Sequence, residues 1–304
     1  RSHCRRGYPP LLYSAEHFRA SEGSYLQPNF WRAPTDNDFG AKLQRSMQAW
    51  KNPAMRMESF KCTEDGANRV VEVVYQMNSV NSVLTLKYTM TPDGKLVVNQ
   101  SIKKGETQAR VSDMFRFGMT LTLQEEYKTI EYYGRGPIEN YSDRNSSQWI
   151  GKFTQSVADQ YYPYIRPQES GNKTDVRYWK LLNDEGKGLM FYGTEGLSMS
   201  SLNYATEDLD EGMEKINRHS GDLVPRKSVT VHVDKAQAGL ACVNSWGAIP
   251  LEEYRLPHGD YEYTFVIPAR NEEKHIKKCL DSLVAQTYPL DKTEWILVDG
   301  NSTD

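Results

Sequence analysis

The sequence predicts a mainly β fold, a large antiparallel two-sheet β-sandwich followed by a short, incomplete α/β tail. Three observations carry this reading. Short segments of alternating polar and apolar residues recur from about Val70 to Ile267, turn chemistry separates them, and beyond Ile267 the period becomes helical. The chain of 304 residues is long enough for one large β domain, and its 19 Tyr, 9 Phe and 6 Trp offset a hydrophobic share of only 38%.

Val70–Met77 and Ser82–Met90 alternate with period two, Pro92-Asp93-Gly94 marks a turn, and Lys95–Ile102 resumes the alternation. Met114–Leu123, Thr129–Tyr133, Trp179–Leu182, Gly188–Tyr192, Ser228–Val233 and Tyr261–Ile267 continue it, with Asn183–Gly188 reading as a hairpin loop. Gly134–Val176 is poor in strand signals and rich in Tyr, Pro, Arg and Asn. It reads as long loops on a β scaffold, where binding surfaces commonly sit. Residues 1–26 show no period and form an irregular N-terminal segment before the sandwich domain of residues 27–267. In 268–304, Ile276, Leu280, Leu283 and Val284 recur at helical spacing, with Glu272 and Glu273 at the favoured N-terminal end, and Glu294–Gly300 reads as a buried strand. A lone βαβ fragment cannot bury its own faces, so this tail is expected to be loosely docked or mobile, with the sandwich claiming the chain through Ile267. The different ends make the chain read as a composite joined from pieces of different genes.

The charge is nearly balanced, 37 basic against 40 acidic residues, which argues against a nucleic-acid partner. No apolar run approaches the ~20 residues of a membrane span. Cys4, Cys62, Cys242 and Cys279 are widely and irregularly spaced, unlike a zinc site or a disulfide framework. No metal or cofactor is expected, and the compartment stays open between cytoplasm and periplasm.

Four ordered blocks carry a family likeness: Asn29–Gly40 (NFWRAPTDNDFG), Tyr133–Arg144 (YGRGPIENYSDR), Tyr164–Arg177 (YIRPQESGNKTDVR), and Asn244–Gly247 (NSWG) with Glu253–Pro257 (EYRLP). Over roughly Leu26 to Ile267 the chain resembles the C-terminal domain, or small chain, of family 2 β-galactosidases. The resemblance implies a galactose mutarotase-like supersandwich, attached in the full enzyme to a catalytic (β/α)8 barrel that carries both catalytic glutamates. It therefore implies a non-catalytic, carbohydrate-facing domain whose partners are that barrel and a galactoside substrate. A second resemblance covers about 264–304, where Pro268-Ala269-Arg270-Asn271-Glu272 and Val298–Asp304 look like the start of a family 2 glycosyltransferase. Glu272 and Asp299 would then match nucleotide-holding positions, but the Asp-x-Asp motif and catalytic base of that family are absent.

Glycoside hydrolysis needs two carboxyl groups flanking one bond. Asp36 with Asp38, Glu169, and Glu252 with Glu253 are the candidates within the chain. Glu252 and Glu253 would point to opposite faces of a strand, whereas Asp36 and Asp38 share a face only if extended. Structural hydrogen bonding is the simpler role for all of them. Trp246 is either an ordinary core or interface residue or an apolar platform for a pyranose; the Asn-Ser-Trp-Gly likeness implies the platform, projecting toward the barrel's active site. Gly239–Val243 departs from the glycine- and acid-rich run of many relatives. The resemblance adds Asn37 and Asp38 as substrate-side residues and Gly40–Trp50 as a loop that closes near the sugar; a plain surface loop is the alternative for that segment.

Arg135, Glu139, Asn140, Tyr141, Asp143 and Arg144, and likewise Arg166, Glu169, Asn172, Asp175 and Arg177, either coordinate a sugar or fasten long loops. Two further functions compete. A free-standing carbohydrate-binding module would line a cleft with Trp149, Tyr161, Tyr162 and Tyr164. A mutarotase-like sugar epimerase would set His219, His232 or His258 against a carboxylate.

Overall fold

The computed structural model describes residues 26–241 and 245–268. The twelve strands are β1 (Gln27–Asn29), β2 (Arg56–Asp65), β3 (Asn68–Met77), β4 (Ser82–Thr91), β5 (Lys95–Lys104), β6 (Arg116–Gln124), β7 (Thr129–Gly136), β8 (Trp149–Ser156), β9 (Lys173–Leu182), β10 (Gly188–Leu202), β11 (Ser228–Gln237) and β12 (Tyr261–Pro268). Among the described residues three short α-helices, α1 (Asp36–Gly40), α2 (Leu43–Ser46) and α3 (Thr206–Leu209), lie in the connections.

All strand pairs are antiparallel. They run in the order β1-β6-β11-β10-β12-β5-β4-β3-β2, and β9, β7 and β8 continue from the other edge of β10. Strand β10 joins the two layers. Tyr192 and Gly193 pair with β12, Ser198–Leu202 pair with β11, and the register shifts between Tyr192 and Leu197. The sandwich is thus one curled sheet whose layers are continuous through a bulged strand. Contacts across the fold show the curl. In a flat sheet β6 and β12 would stand roughly 14 Å apart, yet the Phe117 ring lies 5.6 Å from those of Tyr261 and Tyr263. Tyr263 Oη also donates to the Val233 carbonyl at 2.7 Å.

The core fills the space between the layers. Alternation puts Val73, Tyr75, Leu84, Leu86, Val98 and Ile102 inside from one layer, and Phe117, Met119, Val231 and Val233 from the other. The turns follow their residues: Gly94 and Gly186 adopt φ of +72°, closing the β4–β5 and β9–β10 hairpins.

The strand pattern from the sequence reappears, with three additions: β2, β8 and the short edge strand β1. β2 carries Arg56, Glu58, Lys61, Glu64 and Asp65 and is an exposed edge strand, so no apolar alternation marks it. β8 lies within the stretch read as loops; it is the opposite edge, and only Phe153 packs against the main core. Strand β12 pairs with β5 along its whole length, through Pro268 against Lys95. The irregular segment 1–25 and the helix and strand expected in 269–304 lie outside the described residues, as do Cys4, Cys242 and Cys279, while Cys62 is an exposed free thiol. Among the described residues no helix is long and apolar enough to cross a membrane.

Candidate functional site

The segment following Phe30 leaves β1 and turns into α1 through Trp31-Arg32-Ala33-Pro34-Thr35. Thr35 caps the helix: its hydroxyl accepts from Asp38 N at 3.2 Å, and Asp38 returns a carboxylate oxygen to Thr35 N at 2.8 Å. The same carboxylate receives Arg32 through Nε at 3.1 Å and Nη2 at 2.8 Å, with Arg32 and Asp38 0% and 1% exposed. Arg32 then reaches across the fold to the carbonyls of Ala238, at 2.6 Å, and Gly239, at 3.1 Å. Its guanidinium also lies 4.7 Å from the centre of the Phe115 ring.

Two more side chains grip the same strand exit. Asn37 donates to the Leu240 carbonyl at 3.0 Å, while the Asp143 carboxylate accepts from Leu240 N at 3.0 Å and Ala241 N at 2.8 Å. Ala241 carries a φ of +63°, a left-handed conformation these bonds hold in place. Residues 238–241 are therefore clamped on both backbone sides just before the chain reaches Trp246.

Trp246 is 67% exposed on the loop that follows. Its indole lies against Gly40, where an added Cβ would sit 2.8 Å from Trp246 Cε2 and 3.1 Å from Gly247 N. Gly247, with φ of +92°, in turn approaches the Gly40 carbonyl. Lys215, from the β10–β11 connection, completes the cluster. Its ammonium pairs with Asp36 and stands 5.6 Å from the Phe39 ring centre and 5.8 Å from that of Trp246. Gln44 reaches the same connection by donating to the Met213 carbonyl at 3.1 Å, and Arg45 pairs with Glu214.

Gly40→Ala is expected to displace the indole while leaving the fold intact, because Gly40 ends a helix that alanine favours. Tryptophan emission read against a Trp246→Phe background should shift, and the unfolding free energy from urea titration should stay within about 1 kcal/mol of the parent.

The candidate carboxylates do not converge. Asp36 faces out to Lys215 and Asp38 faces in to Arg32, since they sit on a helix and not on an extended segment. Glu169 is buried and pairs with Arg116 at 2.9 Å. Glu252 and Glu253 occupy a 3-10 turn instead of a strand, both exposed.

The two dense polar sets act as loop fasteners. Glu139 holds Arg144 at 2.9 Å and Gly171 N at 2.7 Å, Asn140 bonds Thr174, and Arg135 pairs with Asp175 at 2.7 Å. Asn172 accepts from Ser198, Arg166 bonds the Ile216 carbonyl, and Arg177 lies over the Tyr133 ring. Lys173, buried against Gln160, is pushed down to about 8 by the loss of solvent. Tyr161 packs on Tyr204 and Tyr162 on Tyr164, while Trp149 is 73% exposed at the sheet edge.

Among the described residues no histidine takes an epimerase arrangement. His219 is exposed and bonds the Ile165 carbonyl, and His258 meets Ser82 Oγ at 3.0 Å. His232 is buried beside Asn29, and burial together with Arg116 drives its pKa well down. Asp234, two residues along the same strand, lies beneath Arg116 and is likewise closed off from solvent. The described residues contain no group of three or more His, Cys, Asp or Glu suited to a metal ion. A cleft of about 890 Å³, lined by Trp31, Trp50, Lys51 and Asp210 among others, includes none of Asn37, Asp38 and Trp246.

Lys215, Arg32 and Gly247 escaped the sequence reading as functional residues. Lys215 sits in the mixed-charge run Glu211-Gly212-Met213-Glu214-Lys215, which carries no motif.

Comparison with known proteins supplies the family. The chain is 34% identical over 247 residues to a β-galactosidase of Priestia megaterium, covering 80% of this chain and 23% of that protein. It is 27% identical over 243 residues to one from Staphylococcus xylosus, covering 78% and 23%. The chain thus spans about a quarter of the length of these curated relatives. Solved structures that resemble it include a galactose mutarotase related enzyme from Lactobacillus acidophilus, at 9% identity and TM-score 0.37, covering 71% of this chain and 72% of that one. Another is the GH36 α-galactosidase AgaA of Geobacillus stearothermophilus, at 8% identity and TM-score 0.38, covering 73% and 29%. Residues 264–304 match the model of glycosyl transferase family 2. The model of the β-galactosidase small chain matches residues 12–267, and the chain belongs to that family.

Proposed function

We propose that this chain is the non-catalytic, carbohydrate-facing part of a β-galactosidase, lending Trp246 to an active site completed by the catalytic barrel of the same protein. The observation that carries this reading is an indole 67% exposed on a loop whose base is clamped by Arg32, Asn37 and Asp143. A large exposed aromatic on a held loop is poorly explained by packing and well explained by a partner or ligand. Asn37 and Asp38 contribute by holding that loop and α1 in place; their side chains are spent on Leu240 and Arg32. Hydrolysis of a terminal β-galactoside needs a proton donor and a nucleophile on opposite sides of one bond. Divergent Asp36 and Asp38, paired Glu169 and exposed Glu252 and Glu253 do not supply them.

The purified chain is expected to show no aryl β-galactoside turnover above background, and to bind galactose or lactose only at millimolar strength, as suits half of a site. Trp246→Ala should abolish that weak binding while changing the unfolding free energy by less than about 1 kcal/mol. Turnover abolished by a single carboxylate substitution would overturn the non-catalytic reading. Micromolar affinity would favour a free-standing binding module, and a loss of ~3 kcal/mol on truncation would mark Trp246 as core.

A further inference from the structure

We propose that Lys215 is the positioning residue of the Trp246 indole, closing one face of the ring so that a sugar can stack only on the other. This rests on the reading of Trp246 as sugar-facing. Gly40 meets the indole at its Cε2–Nε1 bond by close backbone approach and has no side chain with which to set the ring further. A ring held at one edge is free to swing about that edge unless something stands over a face.

Lys215 does so. Its ammonium lies within cation–π range of Trp246, at 5.8 Å, and of Phe39, at 5.6 Å, and its third partner is the Asp36 carboxylate. Three attractions from two elements fix a side chain that would otherwise be among the most mobile on the surface. Phe39 and Asp36 belong to α1, which is tied to the loop base through Arg32 and Asn37. Lys215 itself comes from the β10–β11 connection, which Gln44 and Arg45 fasten to α2. The ammonium is thus the point where three connections meet the indole. The Asp36–Lys215 pair is neutral as a unit, so it places no net charge beside a neutral sugar.

The test reads the indole directly. Emission of Trp246 is isolated as the difference between the chain and its Trp246→Phe variant, and quenching by iodide is compared with quenching by caesium. With a cation over one face, iodide should quench at least twofold more strongly than caesium when each is scaled to its quenching of free N-acetyltryptophanamide. Lys215→Met, which keeps the stem and removes the charge, should bring the ratio toward one and shift the emission, and Lys215→Arg should restore the parent ratio. Galactose affinity should fall at least threefold in Lys215→Met and recover in Lys215→Arg. A ratio and an affinity both unchanged in Lys215→Met would overturn the proposal while leaving the sugar-facing role of Trp246 standing. If the parent chain binds no galactose at all, the sugar-facing reading fails, and the iodide–caesium ratio still decides whether Lys215 sets the ring.

Discussion

Asp38→Ala is expected to destabilise the chain by about 3–5 kcal/mol, the cost of leaving a buried charge without its partner. Arg32, 0% exposed in the parent, keeps two carbonyls and an aromatic face but loses its carboxylate. The reciprocal half of the capping box is lost as well, because Thr35 N no longer has its acceptor. Urea unfolding should show a lower midpoint with an unchanged slope. The effect should reach the candidate site, since Arg32 is what joins α1 to Ala238 and Gly239. Trp246 emission should therefore shift toward that of an exposed, unrestrained indole even at low denaturant. Replacing both partners together, Arg32→Met with Asp38→Leu, should cost less than Asp38→Ala alone, because no charge is then stranded. Equal losses in the two variants would refute the account of a charge pair and leave only packing.

The second large effect is a pH dependence that runs opposite to the usual carboxylate. Asp234 is 0% exposed, and burial raises its pKa from 3.8 to about 7; Glu169 pushes in the same direction and Arg116 opposes. Between pH 4 and 7 the folded chain keeps a proton that the unfolded chain has released. Unfolding then releases that proton, so stability falls as pH rises through this window, and the full penalty is present above about pH 7. His232, buried and held neutral, contributes the reverse slope as pH falls below its ordinary range. The Asp234 contribution is therefore read as the difference between the parent and Asp234→Asn, which is uncharged throughout. Above pH 7 the variant should be the more stable by up to roughly 4 kcal/mol, and near pH 4 the two should converge. Parallel stability curves from pH 4 to 8 would show that Arg116, whose Nη1 is 3.5 Å from the carboxylate, keeps Asp234 ionised in the fold.

Much of the site was legible as chemistry before it was legible as geometry. Trp246, Asn37 and Asp38 come from blocks of sequence that resemble one family; Asn37 and Asp38 lie on α1, whose last residue, Gly40, lies against the Trp246 indole. Their division of labour was not legible. Asp36 and Asp38 are two residues apart in either description, but a five-residue helix sends one to solvent and the other into a buried ion pair. No local pattern says which, because the choice is made by Arg32 and Lys215, the latter arriving from 179 residues away. Asp143 is a similar case. Sequence spacing placed it in a polar cluster, and only folding set it against the backbone of Leu240 and Ala241.

By itself the sequence determined a mainly β chain with antiparallel strands, because side-chain alternation is a property of each strand alone. Val70–Met77, Ser82–Met90 and Lys95–Ile102 show their period without needing a partner. Tertiary structure decided what alternation cannot encode. The edge strands β2 and β8 exist because a neighbour offers them a ladder; neither buries an apolar face that would announce it. β10 runs ten residues past Tyr192 because a bulge carries it from one layer to the other, where Gly193–Gly196 alone resembles a turn. The clamp at 238–241 and the ring of partners around Trp246 likewise depend on segments far apart in the chain. Contacts of that range are paid for by the folded core and leave no periodic trace in the residues that make them.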